Sequence, residues 1–273
     1  MSTMAGHVGS VASVWRYPVK SMMGEEVNSA YLTERGVLGD RAYALLDTAT
    51  GKVASAKHPA KWPNMFRFRS ALQDSPAPGR PMPPARVTLP TGDSLLTTEA
   101  AFDERLSTAL GRPVTLMTSA PKESSLEEYW PDVEGLALRE AVTDEAMPEG
   151  TFFDLAILHI LTTGTINKLR DLYPAGRFEV RRFRPNLVID TGDVVDFVEN
   201  DWIGKTVSIG PEVRFSITGP CPRCVMTTLP QYDLPKDPGI LRAAVKHNNT
   251  HVGVYATVLS IGKITVGDPI VVS

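Results

Sequence analysis

The 273-residue chain contains only two cysteines, Cys221 and Cys224. A disulfide-built scaffold is therefore excluded at this size, and the spacing of the pair asks for a chemical reason. Long hydrophobic runs are missing too, since no apolar stretch approaches the ~18 to 20 residues of a membrane span. No Lys or Arg precedes Arg16, which comes too late for the basic start of a secretory signal. Together these absences lead to the expectation of a cytoplasmic protein. Charge of one sign is lacking as well. With 28 Lys and Arg against 31 Asp and Glu, the net charge of −3 gives no basic field for nucleic acid and no excess that would drive disorder. No Walker A loop, Rossmann glycine run, serine nucleophile elbow or His-Glu zinc helix is present.

What is abundant is turn chemistry. Glycine and proline, 21 and 22 residues, exceed their usual ~12% share and favour short strands over a helical bundle. Val8 to Trp15, Val27 to Leu32 and Arg41 to Leu46 read as strands, the last turning through Asp47–Gly51 into Lys52 to Ala56 as a hairpin. Met65 to Leu72 alternates Phe66 and Phe68 with Arg67 and Arg69, as a half-buried strand does. Five prolines between Ser75 and Arg86 make a surface excursion, followed by Val87 to Leu89 and Ser94 to Thr97 around a Thr91-Gly92-Asp93 turn. Glu99 to Leu110, with Phe102, Leu106 and Leu110 on one face and Gly111 past its end, predicts a helix that closes a first module.

Lys122 to Gly150 carries nine acidic residues against two basic ones, which predicts an exposed connection with little core of its own. The boundary is placed near residues 118 to 135, dividing the chain into 7–120, an acidic connection 121–135, and 136–273. In the second module Phe152 to Leu161 is apolar, Ile166 to Tyr173 reads as a helix, and Arg177 to Asp190 as a strand with a basic start. Asp237-Pro238 starts a helix carrying Ile240, Leu241, Ala244 and Val245, after which His251 to Leu259 and Lys263 to Val272 look like a closing hairpin turned at Ile261-Gly262.

Cys221-Pro222-Arg223-Cys224 follows a predicted strand, Val213 to Ile217. A structural zinc site wants four ligands, and only His247 and His251 lie downstream. A thioredoxin-like dithiol wants the start of a helix, against which Pro220 and Pro222 argue. A single soft thiolate on a redox metal, favoured by the Arg223 guanidinium, is a third reading, and two loop cysteines without a chemical role a fourth. Four guanidiniums, Arg177, Arg181, Arg182 and Arg184, lead into Pro185-Asn186. On a strand they would divide between two faces, so at least one points inward. Guanidinium forks suit phosphate, and an Asn amide can donate and accept toward a heterocycle. A solvated edge strand is the alternative. Lys20-Ser21 and Asp40-Arg41 form a further basic group. Thr162, Thr163 and Thr165 offer hydroxyls and N–H groups to a phosphate, or simply cap a helix.

Tyr17-Pro18-Val19-Lys20-Ser21, Gly39-Asp40-Arg41-Ala42-Tyr43, Phe183-Arg184-Pro185-Asn186, Cys221-Pro222-Arg223-Cys224 with Thr227-Thr228, and Val266-Gly267-Asp268-Pro269 occur in this order along nearly the whole chain. In this the chain resembles the MOSC family, named for the C-terminal domain of molybdenum cofactor sulfurases, and within it the two-module proteins of the mitochondrial amidoxime reducing component and YcbX type. The resemblance implies a mainly β fold of β-barrel modules with a few short helices. It implies a molybdenum cofactor between the modules, with Cys224 as the protein thiolate on the metal and as the catalytic residue. Lys20, Ser21, Arg41, Thr163, Thr165, Arg184 and Asn186 match positions expected to hold the pterin and its phosphate. By analogy, a small N-hydroxylated substrate would be reduced, two electrons and two protons releasing its oxygen as water. A non-catalytic cofactor or sulfur carrier is the alternative.

Two departures bear on partners. The ferredoxin module of YcbX-like relatives would need cysteines that are not there, so a separate ferredoxin- or cytochrome-like donor is expected. Leu229-Pro230-Gln231 also stands where eukaryotic members have an acidic turn. Pyridoxal phosphate binding belongs to the family's wider annotation, but the aminotransferase-like domain of full sulfurases is not in this sequence, so cysteine desulfuration is not expected of it.

Overall fold

The computed structural model describes residues 6–273. Seven short segments rich in β-branched residues each offer an apolar face, and together they close a barrel around Val14, Ile160, Leu187, Phe215, Val254 and Ile270. Gly6–Arg16 pairs with Leu187–Asp190; then come Leu158–Thr162, His251–Ser260, Val213–Pro222, Thr206–Ile209 and Pro269–Val272, which returns to Gly6–Arg16. One pair, Leu158–Thr162 with Leu187–Asp190, is parallel. Parallel strands need a crossover, and helix Thr163–Leu172 supplies it. Closure also needs a glycine: Gly9 sits at a bulge with φ +148°, where a Cβ would lie 1.8 Å from the Asp190 carbonyl oxygen.

The barrel therefore draws its first strand from the N-terminal part of the chain and the other six from the C-terminal part. The rest of the N-terminal part forms smaller sheets, Val114–Met117 with Ala44–Asp47 and Lys52–Val53, and Arg69–Leu72 with Ala85–Thr88 and Ser94–Leu96. Their shared core holds Leu45, Trp62, Phe66, Phe68, Leu95 and Leu106, and it also takes in Val225, Met226 and Leu229 from the segment after Cys224. That packing fixes the thiol-bearing loop between the two halves.

The expectation of a mainly β fold holds; among the described residues there are four α-helices, Phe102–Leu110, Thr163–Leu172, Val180–Phe183 and Gly239–Asn248. None is long and apolar enough to cross a membrane. The hairpin at residues 44–53 forms as expected, and Gly111, left-handed at φ 69°, ends the first helix.

Four local expectations are corrected. Met65–Arg67 is a turn of 3-10 helix, and the strand starts only at Arg69. Lys122–Gly150 is not a bare connection: Ser125–Trp130 and Ala141–Ala146 form a hairpin with Leu126, Glu128 and Met147 buried. Arg177–Asp190 is not one strand, because Val180–Phe183 is helical and Arg184 left-handed, leaving only Leu187–Asp190 extended. The closing hairpin does not form. His251–Ser260 pairs with Val213–Pro222 and Leu158–Thr162, Gly262–Thr265 pairs with Ser29–Thr33, and Pro269–Val272 closes the barrel.

Candidate functional site

One cleft of about 580 Å³ runs along the seam between the halves, within the ~300 to 1,000 Å³ range of small-molecule sites. It is lined from the N-terminal part by Lys20, Ser21, Arg41 and Lys57 and from the C-terminal part by Arg184, Asn186, Arg223 and Cys224. The chain is net negative, yet five cationic side chains line this cleft against three carboxylates. Among the described residues seven non-glycines have positive φ, and five of them, Ser21, Arg41, Arg184, Asn249 and Thr250, line it. Left-handed backbone costs roughly 1 kcal/mol or more per non-glycine residue, so its concentration here points to a site whose geometry the surrounding fold enforces.

Tyr17 is the centre of the cationic end. Its ring is fully buried, with the Arg184 guanidinium 4.2 Å from its centroid and that of Arg41 4.6 Å away. Arg41 also pairs with Asp40, and Arg184 Nη1 donates to the Met22 carbonyl at 2.6 Å. Burial, followed by the Arg41 charge, pulls Arg184 down to about 10, still cationic at neutral pH. Guanidiniums of this kind suit an anion such as phosphate. The Ser21 hydroxyl oxygen accepts from the Ala56 N–H at 3.1 Å, which leaves its proton to donate. Asn186 is committed inward: Oδ1 accepts from the His159 N–H at 3.1 Å and Nδ2 donates to Asp40 Oδ2 at 2.8 Å, tying the 40–41 loop to the barrel.

Asp154 organises the next stretch. Lys20 Nζ pairs with it and donates to the Phe152 carbonyl at 2.7 Å; Lys57 Nζ lies 3.7 Å from Asp154 and 2.8 Å from Glu128. Burial alone would raise the Asp154 carboxyl, but the two ammoniums hold it well below the ordinary carboxylate range. Burial likewise pulls Lys57 down, while Asp154, Cys224 and Glu128 together push it above its usual value.

At the far end, Cys221 and Cys224 part company. Cys221 is buried, and its sulfur accepts from Arg223 Nη1 at 2.7 Å. Cys224 is half-buried on the cleft wall. Burial and then Glu128 push its thiol up to about 11, with Lys57 and Arg223 only partly opposing them. The loop is anchored by Arg182, wholly buried, which donates to the carbonyls of Arg177, Thr227, Leu229 and Pro235. The dithiol and zinc readings lose their support, since only one thiol reaches the cleft and, among the described residues, no cluster of metal-ligating side chains occurs.

Residues 150–271 match the MOSC domain model and residues 8–123 the model of the MOSC N-terminal beta barrel domain. The chain is a two-module MOSC protein. It is 27% identical over 249 residues to the molybdenum cofactor sulfurase of Oryza sativa subsp. japonica, a match covering 80% of this chain and 28% of that protein. The chain thus spans under a third of that relative's length. Among solved structures, the YUAD protein from Bacillus subtilis aligns with 98% of this chain and 96% of its own at 11% identity and a TM-score of 0.49. YiiM from Geobacillus stearothermophilus aligns with 57% and 75% at 13% identity and a TM-score of 0.33.

In this MOSC protein Lys20, Ser21, Arg41, Arg184, Asn186 and Cys224 meet in one cleft, whereas Thr163 and Thr165 do not line it. Those two begin the crossover helix beyond the strand that carries His159. The Thr163 hydroxyl lies 3.3 Å from Asp190, and the buried Thr165 hydroxyl donates to Glu199 at 2.7 Å. Ordinary capping accounts for them: Thr162 Oγ1 accepts from the Thr165 N–H at 3.1 Å. Lys57, Glu128, Asp154 and His159 are cleft residues that sequence reasoning missed. Asp154 alone left a trace, as a charge at the start of an apolar run.

His159 Nε2 donates to the Val252 carbonyl at 3.0 Å. Burial and then the Arg223 charge push the ring down to about 3, so the native state keeps it neutral where the unfolded chain protonates near ~6.5. Its contribution is full above that value and drains as pH falls toward 3, a loss of about 3 kcal/mol between pH 6.5 and 4. His159→Gln, which keeps a donor, is expected to remove that part of the acid slope. Urea melts at pH 7 and 4.5 check it, and an unchanged slope would assign the titration elsewhere.

The ring leaves no room beside it. Gly253 has φ +84°, and a Cβ there would lie 2.3 Å from His159 Nε2 and 2.5 Å from the Ile160 carbonyl oxygen. Gly253→Ala is expected to destabilise by about 2 to 3 kcal/mol or more. Gly219→Ala, in open space on the neighbouring strand, is expected to be near neutral. Equal denaturation midpoints for the two variants would contradict the clash.

Proposed function

We propose that this MOSC protein binds a molybdenum cofactor in the seam cleft and, in the cytoplasm, reduces N-hydroxylated small molecules with electrons from a separate ferredoxin- or cytochrome-like protein. The observation that carries this reading is the joining, in one cleft, of a single soft thiol and a cradle of guanidiniums on enforced left-handed backbone. The donor set fits the group: a thiol suits molybdenum, and the paired guanidiniums suit a phosphate. Arg184, Arg41, Lys20 and Ser21 would hold the pterin and its phosphate, and Cys224 the metal. When bound, the cofactor supplies two-electron redox chemistry, and the protein supplies orientation and electrostatics.

Cys224 must lose its proton to become a ligand. The neighbouring Lys57 and Arg223 charges favour the thiolate, against burial and Glu128. Asp40 and Asn186 hold Arg41's loop against the barrel, and Arg182 fixes the loop after Cys224. Lys57, joined to Glu128 at 2.8 Å beside the thiol, keeps its proton and is placed to steady negative charge there. A carrier would need an exposed, transferable thiol; Cys224 is half-buried on the cleft wall, which favours the reductase.

The test is metal analysis of protein purified from a host that makes molybdenum cofactor, followed by turnover of benzamidoxime with a chemical reductant. Bound molybdenum with reduction is expected. A molybdenum-replete sample that turns over no N-hydroxylated compound would move the assignment to the carrier.

A further inference from the structure

The proline-rich excursion takes no part in the cleft. From Arg80 to Pro84 every residue is a proline or stands directly before one. Proline fixes its own φ, and the residue ahead of it is kept out of helical backbone, so this stretch is held extended although no strand includes it. Such backbone is a polyproline II helix, with about three residues per turn. Burial follows that period. Met82 packs on the core of the N-terminal part and Ala85 is wholly buried, whereas Arg80, Pro81 and Arg86 are exposed and Pro83 and Pro84 partly so. The stretch is anchored from below: the Tyr43 hydroxyl donates to the Pro83 carbonyl at 3.0 Å, and the Gln73 N–H to that of Pro84 at 2.8 Å. Among the described residues neither Arg80 nor Arg86 enters an ion pair.

We infer that residues 80–86 are a docking ridge for a partner protein whose groove is walled by aromatic side chains and ends in an acidic pocket, the chemistry of an SH3 domain. Pro81 and Pro84 stand one turn apart on the outward side, the spacing that aromatic-lined grooves read. Arg86 places a free guanidinium two residues further on, where a carboxylate pocket can take it by a charge-assisted fork. The positions that turn away from a partner on this helix, Met82 and Ala85, are the ones the fold buries. Because prolines and the two anchoring hydrogen bonds already hold the ridge extended, docking orders little chain. The inference stands apart from the reductase reading, since the ridge and the cleft share no residue.

The experiment titrates a panel of purified SH3 domains with acid-flanked aromatic grooves into the purified full chain by calorimetry at low ionic strength. Saturable binding to at least one of them is expected. With that domain, Pro81→Ala combined with Pro84→Ala should weaken binding about tenfold or more, and Arg86→Gln about tenfold, the worth of one charge-assisted hydrogen bond. Arg242→Gln, which removes an exposed guanidinium from helix Gly239–Asn248, should leave it unchanged. The proline variant keeps both anchored carbonyls, and a thermal melt on each variant reads its fold. Should the proline variant fail to fold, Arg86→Gln at the surface decides. No binding to any domain, binding that the proline variant leaves intact, or equal losses in Arg86→Gln and Arg242→Gln overturns the ridge.

Discussion

Cys224→Ala is expected to abolish turnover per bound molybdenum, while Cys221→Ala loses only ~10 to 100-fold. The two sulfurs lie three residues apart, but only Cys224 lines the cleft. On the proposed reading, removing it removes the soft protein ligand, whereas the cationic end of the cleft can still retain some cofactor. Cys221 acts through Arg223: its sulfur accepts from Nη1 at 2.7 Å, and Nη2 donates to the Phe183 carbonyl at 2.8 Å. Loss of Cys221 loosens a guanidinium beside the site without touching the ligand. Turnover normalised to metal content is the measurement. If Cys221→Ala is as inactive as Cys224→Ala with its metal intact, the single-ligand assignment fails.

Retention of cofactor is the second large effect. Arg184→Ala is expected to weaken it by about 1.5 to 3 kcal/mol, the worth of a charge-assisted hydrogen bond, or roughly 10- to 150-fold. Arg177→Ala should leave it unchanged, because the Arg177 side chain is 46% exposed and pairs with Glu179 and Asp233 at the surface. Arg184→Lys separates charge from geometry: it keeps the cation but not the planar stacking on Tyr17 or the fork that a phosphate matches. Molybdenum per protein after gel filtration, with a thermal melt on each variant, reads the outcome. Equal occupancy in Arg184→Ala and Arg177→Ala would remove Arg184 from the cradle.

The arginine cluster shows how far local reasoning reaches. That some of these guanidiniums must face inward follows from their density, and Arg182 and Arg184 are indeed buried. The reason is not strand alternation. Arg182 lies on a short helix and spends its donors on four carbonyls, while Arg184 turns left-handed to reach Tyr17. The acidic segment is a similar case. Its composition suggested a solvated link, but Lys52, Lys57 and Lys61, some seventy residues earlier, compensate its charges and allow a hairpin to pack over the cleft. Charge counted within one window cannot register partners outside it.

By itself the sequence determined the mainly β character, the 44–53 hairpin and the helix ended by Gly111, whereas the meeting of Lys20, Arg41, Arg184 and Cys224 was implied only by the family resemblance of its motifs. These depend on local propensity, turn chemistry and motif order, all readable over a few residues. The tertiary structure alone decided which strands pair, so that Gly6–Arg16 completes a barrel formed mostly by the other half and the expected terminal hairpin gives way to closure by Pro269–Val272. It also brought Lys57, Glu128 and Asp154 to the cleft and left Thr163 and Thr165 in the first turn of a helix capped by Thr162. Strand partners and charge compensation are long-range choices, set by which apolar faces can be buried together, and no short stretch of chain contains that information.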